Sequence, residues 1–287
     1  MMLASIREIK RRRVTIENTS QITRAMKLVS TVKLQKTKDN ARKIQPYFDK
    51  MYATIRSILS RTQGETHPFL TGGRSDNRAV IVISSNRGLA GGYNYNVVHQ
   101  VIGMPVLPEN VLLYTVGSKG REMLRAYGYA IEEDFSDVMD APSYEAAKMI
   151  GRTVLQSFSE GKAGAVELVY TAFKNTLVQE ARRIRLLPVT AQEVANEPAT
   201  DGLLMNYEPD AGQVLERVIP QYIYGMIYGA LMDAAAAENG ARMTAMDQAS
   251  ENAEEMIGRL TQSYNRARQG AITQEITEIV SGSEALS

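Results

Sequence analysis

From Gln221 to about Ser281 the chain contains no proline. Read as one helix, that stretch is ~90 Å long at 1.5 Å per residue, far beyond an ordinary helix in a globule. The segment begins near Pro209, and Pro220 is expected at a break or in a first turn. Within it Met246, Ala249, Ala253, Met256, Leu260, Ser263, Ala267 and Gly270 recur at spacings of three and four. That alternation is a coiled-coil seam. Its small residues allow close approach but bury little area, so the helix needs a partner.

The other end of the chain supplies one. Leu3 to about Arg61 reads as a single helix, with Ser5 and Glu8 at capping-box spacing. Ile22, Ala25, Met26, Val29 and Val32 fall on one face, and Ile44, Phe48, Met51, Ile55 and Ile58 continue such a face. Pro46 is expected to kink it. Residues 1–62 hold 15 Lys or Arg against 4 Asp or Glu, whereas residues 209–287 hold 5 against 11. A basic first helix beside an acidic last one favours an antiparallel pair, although each exposed ion pair contributes only ~0–1 kcal/mol. The fold class expected is α/β: a long antiparallel coiled coil of the N- and C-terminal helices, residues 1–62 and 209–287, with a central Rossmann-like α/β domain over 78–190.

The middle alternates. Arg78–Ser84, Asn110–Val116, Ala165–Phe173 and Ile184–Val189 read as strands, with a further short one near Tyr129. Asn94–Ile102, Lys119–Tyr127 and Ser143–Phe158 read as helices, and residues 62–77 as loop. Such alternation implies a largely parallel sheet. With 44% apolar residues there is enough material for a core.

Chemistry-bearing patterns are few. The segment Ser84–Asn94, SSNRGLAGGYN, has the strand–glycine turn–helix frame that cradles phosphates. Gly88, Gly91 and Gly92 nevertheless fail the dinucleotide pattern, and Val116–Gly120 fails the Walker pattern. A tight turn or a protein-contact loop is the plainer reading. His67 and His99 are the only histidines and stand in no metal-ligand spacing; with no cysteine, disulfides and thiolate zinc sites are excluded. The acidic pairs Glu132–Glu133 and Glu254–Glu255 read as solvated charges. No nucleophile carries a signature, so catalytic, cofactor-binding and metal-ligating residues are expected to number none. The most apolar run, Tyr222–Met232, is too short for the ~20 residues of a membrane span.

The basic run Lys10–Arg13, followed by Arg24, Lys27, Lys33, Lys36, Lys38, Arg42 and Lys43, is dense enough for phosphate binding. No nucleic-acid motif accompanies it, and the chain's own acidic helix is an available partner. At the carboxyl end, YNRARQGAITQEITEIV crowds Arg266, Arg268, Gln269, Thr273, Gln274 and Glu275 onto a helix end. It fits either a solvated terminus or a site where Arg makes forked bonds to carboxylates.

These residues carry a resemblance. IENTSQITRAMKLVSTVKL (Ile16–Leu34), SSNRGLAGGYN and RQGAITQEITEIVSG (Arg268–Gly282) resemble, in order and across essentially the whole chain, the gamma subunits of F-type ATP synthases. The resemblance implies a central rotor shaft whose coiled coil enters an alpha–beta ring. It implies partners in the alpha and beta subunits, an epsilon subunit and a c ring, with one copy of the chain in a hetero-oligomer. ATP is made or hydrolysed at beta-subunit sites, so the chain is not itself an enzyme and takes no cofactor. Arg268 and Gln269 are expected to grip a beta-subunit loop. Arg242, Thr273 and Glu275 are expected to support coupling, Met26 to lie near the lower mouth of the ring, and Tyr207 and Glu208 to form a foot facing the c ring. Ala90 stands where some members carry Cys, and the Cys-bearing insertion of the plant chloroplast form is missing. The match begins by about residue 4, so no organelle presequence is expected. That points to a bacterial protein, peripheral to the cell inner membrane on its cytoplasmic face and serving hydrogen-ion or sodium-ion transport. Two other classes stay open on the residues alone: a nucleotide-dependent α/β enzyme with helical arms, and a nucleic-acid-binding coiled-coil protein.

Overall fold

The computed structural model describes residues 2–61, 67–189 and 211–284. The chain divides into two compact units, Met1–Ser30 with Met243–Ser287, and Thr31–Arg242. Both long helices, α1 (Met2–Arg61) and α6 (Ala211–Glu284), contribute to each unit.

The Thr31–Arg242 unit is built on a five-stranded sheet in the order β3-β2-β1-β4-β5. Its strands are β1 (Arg78–Ile83), β2 (Val111–Val116), β3 (Ile131–Asp134), β4 (Ala165–Phe173) and β5 (Gln179–Leu187). β1 pairs in parallel with β2 and β4, β2 in parallel with β3, and β5 closes the edge antiparallel to β4. The sequence of β1, RAVIVI, is branched and apolar throughout because it lies at the centre with both faces covered. On one face α3 (Tyr93–Ile102) and α4 (Ser118–Ala126) set Val97, Val98, Val101 and Leu124 against Val80, Val82 and Leu113. On the other, α5 (Tyr144–Ser159) and the first half of α6 set Ile150, Val154, Ile219, Ile223 and Leu231 against Ile81, Ile83 and Leu168. α5 and α6 approach closely because Gly151 carries no side chain; a Cβ there would lie 2.4 Å from the Tyr224 ring. Ser143 caps α5 as expected, its hydroxyl accepting from the Ala146 amide.

Several local expectations need correction. Pro220 sits inside α6, neither at a break nor in the first turn. It removes one hydrogen bond, but buried Leu215, Ile219, Tyr222 and Ile223 around it tie this turn to the sheet, and their burial outweighs the ~3 kcal/mol. Ser5 lies within α1 rather than at its cap, because the helix already begins at Met2. The loop before β1 contains a short helix, α2 (Pro68–Thr71), started by proline and capped by the His67 ring. β5 begins at Gln179, five residues earlier than read, since its first half is an edge whose exposed charges masked the strand pattern.

In the other unit α1 and α6 run antiparallel. Thr23 faces Ser250, Arg24 pairs with Glu254, Lys27 with Asp247, and the Arg13 guanidinium lies 5.9 Å from the Tyr264 ring centre. The buried positions differ from those expected. On α1 they are Ser20, Thr23 and Ser30, while Ile22 and Val29 of the expected apolar face are exposed, as is Val32 in the other unit. On α6 Met246 and Ala253 are buried as expected. Ser250, not Ala249, is the fully buried residue at its turn, Ile257 is more buried than Met256, and Tyr264 more than Ser263. The seam mixes small and hydroxylated side chains with buried Met246; Ile9, Ile16 and Met26 are half-buried, while Val14, Ile22, Leu28 and Val29 are turned outward. Ile44, Phe48, Ile55 and Ile58 of the continued face have side chains outside the described residues.

Candidate functional site

Two regions concentrate unusual local chemistry. The first is the carboxyl edge of the sheet, where a dinucleotide would sit in a doubly wound fold. Here the amides that open α4 are already used. The Ser118 N–H donates to Asn86 Oδ1, the Lys119 N–H to the Ser85 carbonyl, and the Gly120 N–H to Ser84 Oγ. Ser84 in turn donates toward the Gly117 carbonyl, and a Cβ on Gly117 or Gly120 would lie 2.4 or 2.5 Å from Ser84 atoms. The anion-binding end of this helix is therefore filled by the protein's own Ser84, Ser85 and Asn86.

The adjoining loop is held just as firmly. Asn94 Oδ1 accepts from the Ser85 amide, and Ser85 Oγ donates to the Arg87 carbonyl. Arg242, on α6 and only 8% exposed, donates from its guanidinium to the carbonyls of Arg87 and Gly88 at 3.2–3.4 Å. Its charge is met by Glu238 at 2.7 Å. Burial pushes the Glu238 carboxyl above the ordinary range, opposed by the neighbouring Arg242. Ala90 and Tyr93 pack on Ala237, the Tyr93 hydroxyl donates to the Ala234 carbonyl, and Leu89, at φ +61°, points into solvent. In the described residues no group of metal-ligand type assembles, and no helix is long and apolar enough to cross a membrane.

The second region is the outer surface of the helix pair. Val14, Ile22, Leu28 and Val29 on α1 are exposed, as are Met256, Ile272, Ile276, Ile279 and Val280 on α6. The antiparallel pairs place the start of α1 beside the turn near Thr273, so Ile276–Val280 continue past it. An apolar stripe of this length on a water-facing helix marks a surface meant to be covered.

A family model described as ATP synthase matches residues 5–286. The chain is 50% identical over 293 residues to the ATP synthase gamma chain of Lachnoclostridium phytofermentans, covering 99% of this chain and all of that one. It is 40% identical to the ATP synthase gamma chain of Alkaliphilus metalliredigens, again over 99% of this chain and the full length of the relative. The chain belongs to the ATP synthase gamma chain family. Its fold is also that of a chain in the Euglena gracilis mitochondrial ATP synthase structure of OSCP, F1 and c-ring in rotational state 3. That match has a TM-score of 0.69 at 19% identity and covers 99% of this chain and 95% of the other.

Against the gamma-chain expectations the residues fall as follows. Arg268, Gln269, Thr273 and Glu275 are all exposed near the end of α6, on successive turns. Thr273 turns its hydroxyl back to the Gln269 carbonyl, and among the described residues Arg268 and Glu275 form no ion pair. Met26 is half-buried at the seam. Arg242 is not with them; it lies in the Thr31–Arg242 unit, bonded to the 87–88 carbonyls. Tyr207 and Glu208 lie outside the described residues. Sequence reasoning missed Glu238 and Tyr93. The one available signal was the i, i+4 spacing of Glu238 and Arg242 on a helix.

Proposed function

We propose that this chain is the central shaft of an F-type ATP synthase, coupling rotation of a c ring to ATP synthesis or hydrolysis at beta-subunit sites and catalysing nothing itself. The observation that carries the reading is the exposed apolar surface of the helix pair: Ile22, Leu28 and Val29 on α1 and Ile272, Ile276, Ile279 and Val280 on α6 face water, and the stripe continues beyond the start of α1. Such a rod is complete only when surrounded, and an alpha–beta ring supplies a surrounding wall. Its two helices present unlike faces around the axis, so each orientation favours a different state of each beta subunit, and turning the rod shifts nucleotide affinity.

In this reading Arg268 and Gln269 grip a beta-subunit loop, Thr273 and Glu275 support that grip, and Arg242 supports coupling from the α/β body. Met26 lies near the lower mouth of the ring, and Tyr207 and Glu208 belong to a foot on the c ring, with an epsilon subunit alongside. The working division is two helical arms, 1–62 and 209–287, and an α/β body, 78–190. The complex sits on the cytoplasmic face of a bacterial membrane, with this chain peripheral and in single copy. The filled amides of α4 speak against the nucleotide-enzyme alternative. Affinity purification of the tagged chain from its own cells tests the reading: alpha, beta, epsilon and c subunits are expected in one particle with ATPase activity. Recovery of the free chain with ATP bound at micromolar affinity would overturn it.

A further inference from the structure

The Gly-rich loop and α6 meet at a node that family membership does not explain. Arg242 spends its guanidinium on two backbone carbonyls, of Arg87 and Gly88, rather than on a partner's acid. A buried guanidinium aimed at carbonyls needs its charge balanced close by, and Glu238, one turn earlier on α6, does so. The side chains of both are about nine-tenths buried. The residues that follow the two carbonyls are Leu89, in a left-handed backbone conformation, and Ala90, seated in a small apolar cluster with Tyr93 and Ala237. Left-handed backbone at a leucine persists only where surrounding contacts over-determine it. The contacts here are the Arg242 bonds on one side and buried Ala90 on the other. Leu89 is thereby presented to solvent at 63% exposure on a turn with little freedom.

We infer that Glu238 is a positioning residue for coupling: it aims Arg242 at the 87–88 carbonyls, and this clamp makes the 86–91 loop move as one body with α6. The inference rests on the shaft reading above. A shaft that transmits torque needs its lateral contact points fixed to the long helix, and a loop free to flex would absorb the displacement instead. Glu238 touches neither nucleotide nor partner in this scheme and acts only through Arg242.

The test uses the whole complex in vesicles, with ATP-driven ion uptake measured per ATP hydrolysed. Glu238→Gln keeps the shape and one acceptor oxygen while removing the charge, so it is the variant least apt to unfold. Glu238→Gln and Arg242→Gln are each expected to retain hydrolysis and lose at least about five-fold in ions moved per ATP, the low end of an ordinary coupling free energy. The double variant is expected to be no worse than the poorer single one, because both act through one clamp. Hydrogen exchange at amides 87–91 of the isolated chain is expected to quicken at least about ten-fold in either variant while the sheet stays protected. Normal coupling in Glu238→Gln, or additive losses in the double variant, would overturn the inference and leave the shaft reading standing. Failure of the unaltered chain to join a ring would overturn both.

Discussion

Thr23 Oγ1 and Ser250 Oγ lie 2.7 Å apart, buried where α1 and α6 cross in the helix pair. Two protons serve three contacts, since each hydroxyl also has a carbonyl of its own helix in reach, Ser20's for Thr23 and Met246's for Ser250; whichever hydroxyl donates across the pair leaves its own carbonyl. The pair therefore joins the two helices through hydroxyls at a position where an ordinary coiled coil would carry leucine or isoleucine.

Removing one hydroxyl removes the cross-helix bond, while the other keeps the carbonyl of its own helix. Thr23→Val alone is expected to destabilise the pair by about 0.5–1.5 kcal/mol, and adding Ser250→Ala should cost little more, because the shared bond is already gone. Chemical denaturation followed by helicity, as a double-mutant cycle, measures this. A double variant as damaged as the sum of the singles would show that the hydroxyls act separately.

Arg268 is solvent-facing, and its loss should leave the free chain's helicity unchanged. Within the assembled complex, Arg268→Ala is expected to slow turnover by roughly ten- to hundredfold, the effect of losing one charge-assisted bond at a coupled step. Arg259→Ala is the control, since among the described residues Arg259 pairs only with its neighbour Glu255 on the same helix. Equal and negligible effects of the two would return the terminus to a merely solvated helix end. Single-particle rotation then separates weakened torque from weakened assembly.

Asp233 on α6 has its carboxyl pushed up from 3.8 to about 6 by burial, with Arg182 opposing. A carboxyl whose folded pKa is raised stabilises most below its unfolded value, and that contribution is lost as pH rises through about 6. Asp233→Asn should therefore raise the melting temperature at pH 7.5, equivalent to about 1–3 kcal/mol, and do little at pH 4. A benefit that persisted unchanged at pH 4 would assign it to packing.

Gly117 and Gly120 both abut Ser84, but against different atoms. A Cβ on Gly117, at φ +104°, would meet the Ser84 backbone carbonyl; one on Gly120 would meet the Ser84 side chain. Gly117→Ala is expected to destabilise by about 2–4 kcal/mol whether or not Ser84 is trimmed. Gly120→Ala should be partly relieved by Ser84→Gly. Thermal melts of the four variants decide this, and rescue of Gly117→Ala by Ser84→Gly would contradict the geometry.

The alternation of strand and helix over the middle of the chain was plain in the sequence, because RAVIVI and NVLLYTV have no stable place except inside a covered sheet. The long helices were equally plain. What the periodicity of Ile22, Met26 and Val29 left open was which way that face points. A helical repeat shows that apolar residues share a side, not that the side is turned inward, and here Ile22 and Val29 face water while Met26 is half-buried. The slip from Met256 to Ile257 has a related cause: small residues at both phases of the repeat leave the choice to the facing helix. Arg242 was singled out from the family motif, yet its clamp on Arg87 and Gly88 was beyond reach, since it joins positions more than 150 apart in sequence.

The outward stripe on the helix pair also bears on the life of the newly made chain. Until it is enclosed, Ile272, Ile276, Ile279 and Val280 are as available to a second copy or to a chaperone as to the proper ring. Capture is then a race against self-association, and its outcome depends on concentration. Cells that produce this chain in excess of its ring partners should accumulate it in aggregates or lose it to proteases, so balanced synthesis of the subunits becomes a requirement written into one face of a helix.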